Sequence, residues 1–161
     1  MTKGIKTNAM RLLDKANIPY ETVEYEVDEN DLSGVHVAIT LNQPVEQVYK
    51  TLVAKGEKNG IMVFCIPVAE ELDLKKAAII ARDKKIELLP MKDLLSTTGY
   101  IRGGCSPIGM KKQFPTYIEE SAILFDKIYI SAGVRGAQIV IHPEYLRRFV
   151  DGKYRDLIVW E

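Results

Sequence analysis

Cysteine and histidine are scarce in this chain of 161 residues, with two of each. Cys65 and Cys105 are too few for a disulfide framework, so a reducing cytoplasmic setting is expected. His36 and His142 lie far apart, and neither a Cys-x-x-Cys nor a His-x-x-x-His spacing occurs. No metal site is expected, and each histidine reads as a surface or helix-end residue. Long apolar runs are absent too: none approaches the ~20 residues of a membrane span, so no membrane contact is expected. The opening stretch, "MTKGIKTNAMRLLDKANIP", carries charge throughout and lacks the apolar core of a secretory signal. Repeats, low-complexity tracts and linkers rich in Pro, Gly or Ser are missing. One domain over residues 1–161 is expected, long enough to bury a core.

Net charge is also lacking, since 22 Lys and Arg balance 22 Asp and Glu. Tight, unaided binding of long nucleic acid is thereby disfavoured, because that affinity comes from many neutralised phosphates. The charge is nonetheless uneven. Seven acids and no Lys or Arg fall between Ala16 and Tyr49, whereas twelve basic residues and seven acids fall between Lys50 and Lys112. Such a basic segment can touch a phosphate or two, although a solvated surface is the simpler explanation.

What is present reads as a mixture of short helices and strands. Thr7 can cap a helix carrying Ala9, Leu12, Leu13 and Ala16, with Asn17 and Pro19 ending it. Glu21–Val27 alternates as a half-buried strand, Asp28–Gly34 is a loop, and His36–Leu41 is a short helix. "VYKTLVA" from Val48 and "IMVFCIP" from Ile61 form strands across a Lys/Gly/Asn turn. Asp73 can cap a helix through Arg82, "KIELL" is a short strand, and Met91–Ser96 another short helix. "DKIYISAG", "AQIVIH" and "RDLIVW" are β-rich, while "PEYLRRFV" is a helix with proline at its start. No clean βαβ rhythm appears, so the expected class is α+β: a curved mixed sheet with helices packed outside.

Candidate chemistry centres on "GYIRGGCSPIGMKK", Gly99 to Lys112. Gly104 and Gly109 have the four-residue gap of a phosphate-binding P-loop, but Met110 and Lys111 occupy the places of its Lys and Ser/Thr, which excludes that motif. Successive glycines instead let main-chain N–H groups approach a ligand, with Pro107 fixing the turn, and such amides can hold a carbonyl oxygen as it gains charge. A structural turn explains the composition equally. Cys105 lies within the loop, where nearby lysines and open amides can lower a thiol pKa; a small residue that fits is the simpler reading. Cys65, in an apolar strand, reads as core. Lys50 shares a strand face with Val48, Leu52 and Ala54, so its ammonium is expected to line a pocket. "SAGVRGAQI" can bring Ser131, Arg135 and Gln138 near a ligand, although turn chemistry alone also accounts for its glycines.

Together "KTNAMRLLDKANIPYE", "VYKTLV", "LDLKKAA", "TGYIRGGCSPIGMKK" and "ISAGVRG" resemble the YbaK family, free-standing relatives of the editing domain in bacterial prolyl-tRNA synthetases. The resemblance spans nearly the whole chain, from about Lys6 onward. It implies a mixed sheet curled toward a partial barrel with helices around it. It also implies removal of cysteine wrongly esterified to proline tRNA, without a cofactor. By the resemblance Lys50 anchors the aminoacyl end, and Gly103 and Gly104 open a G-x-x-x-P loop, completed by Cys105, Ser106 and Pro107, that grips the ester carbonyl. Tyr20, Thr51, Ser131 and Gln138 fall at pocket-lining positions. Some relatives carry an acid near Gln138, and an amide there cannot act as a base; His36 also stands where an acid is expected. Members of the cysteine-specific type are thought to let the substrate's own thiol attack its carbonyl, which explains a loop without a catalytic base. The implied partners are the tRNA acceptor end and prolyl-tRNA synthetase. Removal of alanine or another small residue, or non-catalytic binding of a nucleotide or amino-acid ester, stay open, as does oligomeric state, monomer included.

Overall fold

Alternating apolar runs need two sheets to bury them here, and a computed structural model, described for residues 4–160, shows how they are divided. Helix α1 (Asn8–Lys15) starts at Thr7, whose Oγ1 accepts the Met10 N–H at 3.2 Å. It buries Ala9, Met10 and Leu13, and Asn17 in the left-handed region (φ 58°) ends it. Strand β1 (Glu21–Glu24) is shorter than the expected Glu21–Val27. Only the Tyr25 N–H continues its ladder, to the Gly136 carbonyl at 2.9 Å, before the chain turns into the acidic loop. Helix α2 (Gly34–Thr40) begins two residues earlier than expected, because the Ser33 hydroxyl caps it through the His36 N–H.

Strands β2 (Tyr49–Gly56) and β3 (Gly60–Pro67) pair antiparallel over their whole length, from Tyr49↔Pro67 to Gly56↔Gly60. Helix α3 (Leu74–Ile80) is capped by Asp73, and stops before Arg82 because Arg82 takes φ 55°. Strand β4 (Ile86–Leu88) and helix α4 (Leu94–Thr98) follow, with a 3₁₀ turn at Met91–Asp93 and Gly99 at φ 89° closing α4. The chain continues through β5 (Thr116–Glu119), β6 (Ile128–Ser131), β7 (Ala137–Ile141), α5 (Pro143–Phe149) and β8 (Lys153–Arg155). The sequence predicts no strand at β5, whose four residues carry no clear alternation. "RDLIVW" is not a strand beyond Arg155. Its main chain is used otherwise: the Leu157 N–H donates to the buried Glu119 carboxylate at 3.2 Å, and Ile158 only bridges Leu72.

The first sheet has the order β1-β7-β6 and is antiparallel; the second has the order β4-β2-β3-β5-β8 and is mixed. They meet where Val48 bridges Tyr129 in parallel, so the expected curl is realised as two sheets joined at one point rather than a closed barrel. Period-two alternation then sorts β2 and β3. Tyr49 and Cys65 face the core shared with Ile130 and Ile139 of the three-stranded sheet and with α1 and α5. Leu52, Ala54, Phe64 and Ile66 face α3 through Ala77 and Ala78. No helix among the described residues is long and apolar enough to cross a membrane.

Candidate active site

Strand β2 positions the site because only part of it has a neighbour beyond β3. The Val53 carbonyl accepts from Leu89 at 2.9 Å, where β4 begins to pair, whereas the Val48 carbonyl turns to Val68 of the β3 side. Main-chain groups alternate sides along a strand. Thr51 therefore presents its N–H and C=O to the edge that β4 does not reach. A cavity of about 350 Å³ opens along that edge. Lys50, Thr51, Gly103, Cys105, Ser131 and Gln138 all line it. A groove of about 520 Å³ runs beside β4, bounded by the charged Lys55, Glu57, Lys85, Glu87 and Asp93. Among the described residues the two buried side-chain atoms without a hydrogen-bond partner are Thr51 Oγ1 and Gln138 Oε1, both from the first cavity and not the groove. The Thr51 hydroxyl still has the Cys65 thiol beside it, whereas an amide oxygen buried without a donor is costly, so Gln138 Oε1 marks a place ready to receive one.

The Lys50 ammonium makes no hydrogen bond or ion pair with any described residue. Burial holds its pKa below the ordinary lysine value, and Glu71 and Glu70 pull only partly the other way. A half-buried cation without a partner fits an anionic or carbonyl ligand. Cys105 reverses the expected electrostatics. Burial pushes its thiol up to about 12, outweighing the Thr98 hydroxyl, so it stays protonated near neutral pH and is a poor nucleophile. Among the described residues no Asp, Glu or His lines the cavity. His36 sits outside it, with Asp28 and Asp31 each 3.7 Å away, and His142 caps α5 through the Glu144 N–H.

The other residues named from sequence build the surroundings. Gly103, at φ 84°, takes the left-handed turn. Gly104 spends its N–H on the Ile101 carbonyl at 3.0 Å, so it is no free donor; those of Gly103 and Cys105 have no acceptor among the described residues. Ser106 is fully buried and accepts the Ile108 N–H at 3.2 Å, shaping the turn with the buried Pro107. Tyr20 does not line the cavity: its hydroxyl donates to Asp14 at 2.8 Å and lies 3.3 Å from the Met10 carbonyl. Leu32, Gly34, Val37, Val68, Met91 and Leu94 supply an apolar wall that sequence reasoning missed. Gly34 is the one with a readable signal, since a Cβ there would lie 2.3 Å from Val68 Cγ1, so only glycine lets α2 approach the turn that follows β3.

The aminoacyl-tRNA editing domain model matches residues 33–149. The chain belongs to that family. This editing-domain chain is 47% identical over 156 residues to EbsC of Enterococcus faecalis, provisionally named a Cys-tRNA(Pro)/Cys-tRNA(Cys) deacylase, covering 97% of this chain and 95% of EbsC. A proline–tRNA ligase of Thermosipho africanus is 24% identical over 139 residues, which is 86% of this chain and 24% of the ligase. Among solved structures, one described provisionally as a trans-editing enzyme for prolyl-tRNA synthetase superposes with a TM-score of 0.82 at 22% identity, covering 98% of this chain and 100% of that one. The hypothetical protein APE2540 gives 0.84 at 16% identity, over 92% and 97% of the two chains. These two likenesses establish the fold. Tyr20 precedes the region that the editing-domain model matches.

Proposed function

We propose that this editing-domain protein removes cysteine from Cys-tRNA(Pro), with the substrate's own thiol as nucleophile. The observation that carries the proposal is a cavity holding an unpaired ammonium, an unpartnered buried Gln138 oxygen and a glycine loop, yet, among the described residues, no carboxylate or imidazole. Such a site suits an activated ester that needs placement more than proton transfer. In this reading Lys50 anchors the aminoacyl-adenosine end, and the N–H groups of Gly103 and Cys105 receive the carbonyl oxygen as it gains charge. The cysteine sulfur bonds to the carbonyl carbon and the bond to the ribose oxygen breaks. The thiol proton ends on that oxygen, which frees the tRNA hydroxyl, and water later opens the thiolactone to cysteine. Orientation of this kind can supply about 7 kcal/mol or more.

The size of the cavity limits what enters. At about 350 Å³ it lies at the small end of ligand sites, with room for a small amino acid and its ribose but not an acceptor stem. The tRNA then rests outside, near Arg102 at the rim. EbsC is named for both Cys-tRNA(Pro) and Cys-tRNA(Cys), which supports a pocket that reads the amino acid and leaves choice of tRNA to a partner. The match to part of a proline–tRNA ligase supports prolyl-tRNA synthetase in that role. The test is to incubate purified protein with Cys-, Ala- and Pro-tRNA(Pro) and with Cys-tRNA(Cys), following loss of each ester. Cysteine is expected to leave fastest from either tRNA, with proline retained. Stoichiometric binding without free amino acid would instead establish a binding protein, and fastest loss of alanine would move the substrate to that residue.

Cys105→Ala separates the two thiols. Because the protein's own thiol is held protonated, this variant is expected to keep cysteine release within about threefold of wild type in a single-turnover assay. A loss on the order of 10²-fold or more would make Cys105 the nucleophile.

A further inference from the structure

The glycine loop is bonded almost wholly to itself. Gly104 N–H donates to Ile101, Ile108 N–H to Ser106, the Tyr100 hydroxyl to the Ile108 carbonyl, and Lys111 N–H to Thr98. Among the described residues one hydrogen bond reaches the loop's main chain from outside residues 95–111: Arg135 Nε donates to the Arg102 carbonyl at 2.9 Å. The same guanidinium is held from its other side by Glu29, whose carboxylate lies 3.4 Å from Arg135 Nη1. The β6–β7 turn that carries Arg135 also touches the loop directly. A Cβ on Gly104 would stand 3.1 Å from main-chain atoms of Val134 and Arg135, and one on Gly103 would stand 3.2 Å from Arg135 Nε.

The Arg102 carbonyl and the Gly103 N–H belong to one peptide plane. That peptide is trans, so the two groups point in opposite directions. Fixing the carbonyl on Arg135 therefore turns the Gly103 N–H the other way. The plane would not hold itself, because a glycine after it accepts φ of either sign and lets the peptide flip at little cost. A cationic donor on the carbonyl also polarises the plane and makes the N–H a stronger donor. We infer that Arg135, braced by Glu29, is the positioning residue that locks the Arg102–Gly103 peptide with its N–H aimed at the ester oxygen. This rests on the deacylase reading for its kinetic consequence, but not for its geometry.

Arg135→Ala and Arg135→Lys test it on the full chain by single-turnover deacylation of Cys-tRNA(Pro) and by amide spectra of protein labelled with ¹⁵N-glycine. Deleting an oxyanion donor outright costs about 10²–10³ in rate; misaiming one in Arg135→Ala is expected to cost roughly 10- to 100-fold in kcat, with KM within about threefold. Arg135→Lys, which keeps a charge but not the fork, should recover part of the rate. In both variants the Gly103 amide should shift and broaden in the free protein while that of Gly60, in the β2–β3 turn, stays in place. Should Arg135→Ala fail to fold, Arg135→Lys carries both readouts. A rise in KM with kcat unchanged would make Arg135 a substrate contact and overturn the inference, as would unchanged kinetics. Wild-type protein that releases no cysteine would sink the deacylase reading alone; a Gly103 amide unmoved in both variants would sink the clamp.

Discussion

Lys50→Ala is expected to lower kcat/KM for cysteine release by about 10²–10³-fold, the scale of losing one preorganised electrostatic contact, while leaving the melting temperature unchanged or higher. The two halves of this expectation have one cause. Burial depresses the Lys50 pKa, so the folded chain holds that proton less tightly than the unfolded chain does. Its charge therefore weighs against the fold at every pH below the depressed value. That cost fades as pH rises toward the unfolded value of 10.5. Replacing the side chain removes both the unpaired cation and the cost of keeping it out of water. If the bound ester needs the ammonium, wild-type activity should also fall on the alkaline side sooner than an exposed lysine would allow, and Lys50→Arg should not restore it fully because the fork differs in shape. Single-turnover assays and thermal melts of the three proteins decide the matter. Undiminished cysteine release in Lys50→Ala would remove this lysine from the site, and a large fall in melting temperature would make its role structural.

The legibility of this lysine shows where sequence reading succeeds. Alternation alone put Lys50 on a face with Leu52 and Ala54, and those two do pack toward α3. Helix caps at Thr7 and Asp73 were equally readable, since a short side chain before an apolar period has a local purpose. Failures came where the decisive partner is distant in sequence. Strand β5 owes its pairing to β3 and β8, and nothing local distinguishes its four residues. "RDLIVW" looks like a strand by composition, yet the buried Glu119 carboxylate takes the Leu157 N–H from 38 positions away. At the site, the motif residues on β2 and the glycine loop could be named, but not the gap in β4 pairing that opens the cavity between them. The resemblance implies that the Gly104 amide grips the carbonyl, but its N–H is consumed by Ile101, a local turn bond that a family motif does not reveal. The apolar wall from α2 and α4 has no signature beyond Gly34, whose need for close approach depends on Val68, in the turn just past β3.

Gly104→Ala is expected to reduce kcat by at least about tenfold, and Gly104→Val by on the order of 10²-fold, the penalty of misplacing catalytic groups by about an ångström. The added Cβ would meet three main-chain atoms at once, Arg135 N and Val134 C and Cα, each at 3.1 Å. A flexible side chain could swing aside, but main chain in a turn between two strands cannot. The glycine loop must therefore back away from the β6–β7 turn, and Gly103 and Cys105 move with it because both flank the substituted residue. Overpacking of this kind costs about 1–3 kcal/mol of stability. Gly60→Ala supplies the comparison. Its φ of 75° makes a side chain unfavourable, by about 1–2 kcal/mol, yet nothing lies within 4 Å of its Cβ position. It should lose similar stability and keep its rate. Equal kcat in all three variants, measured by single turnover beside denaturant unfolding, would mean that the loop's docking does not set the geometry of the reaction, whereas a rate that falls only in the Gly104 series would tie the chemistry to the contact between the loop and the turn that carries Arg135.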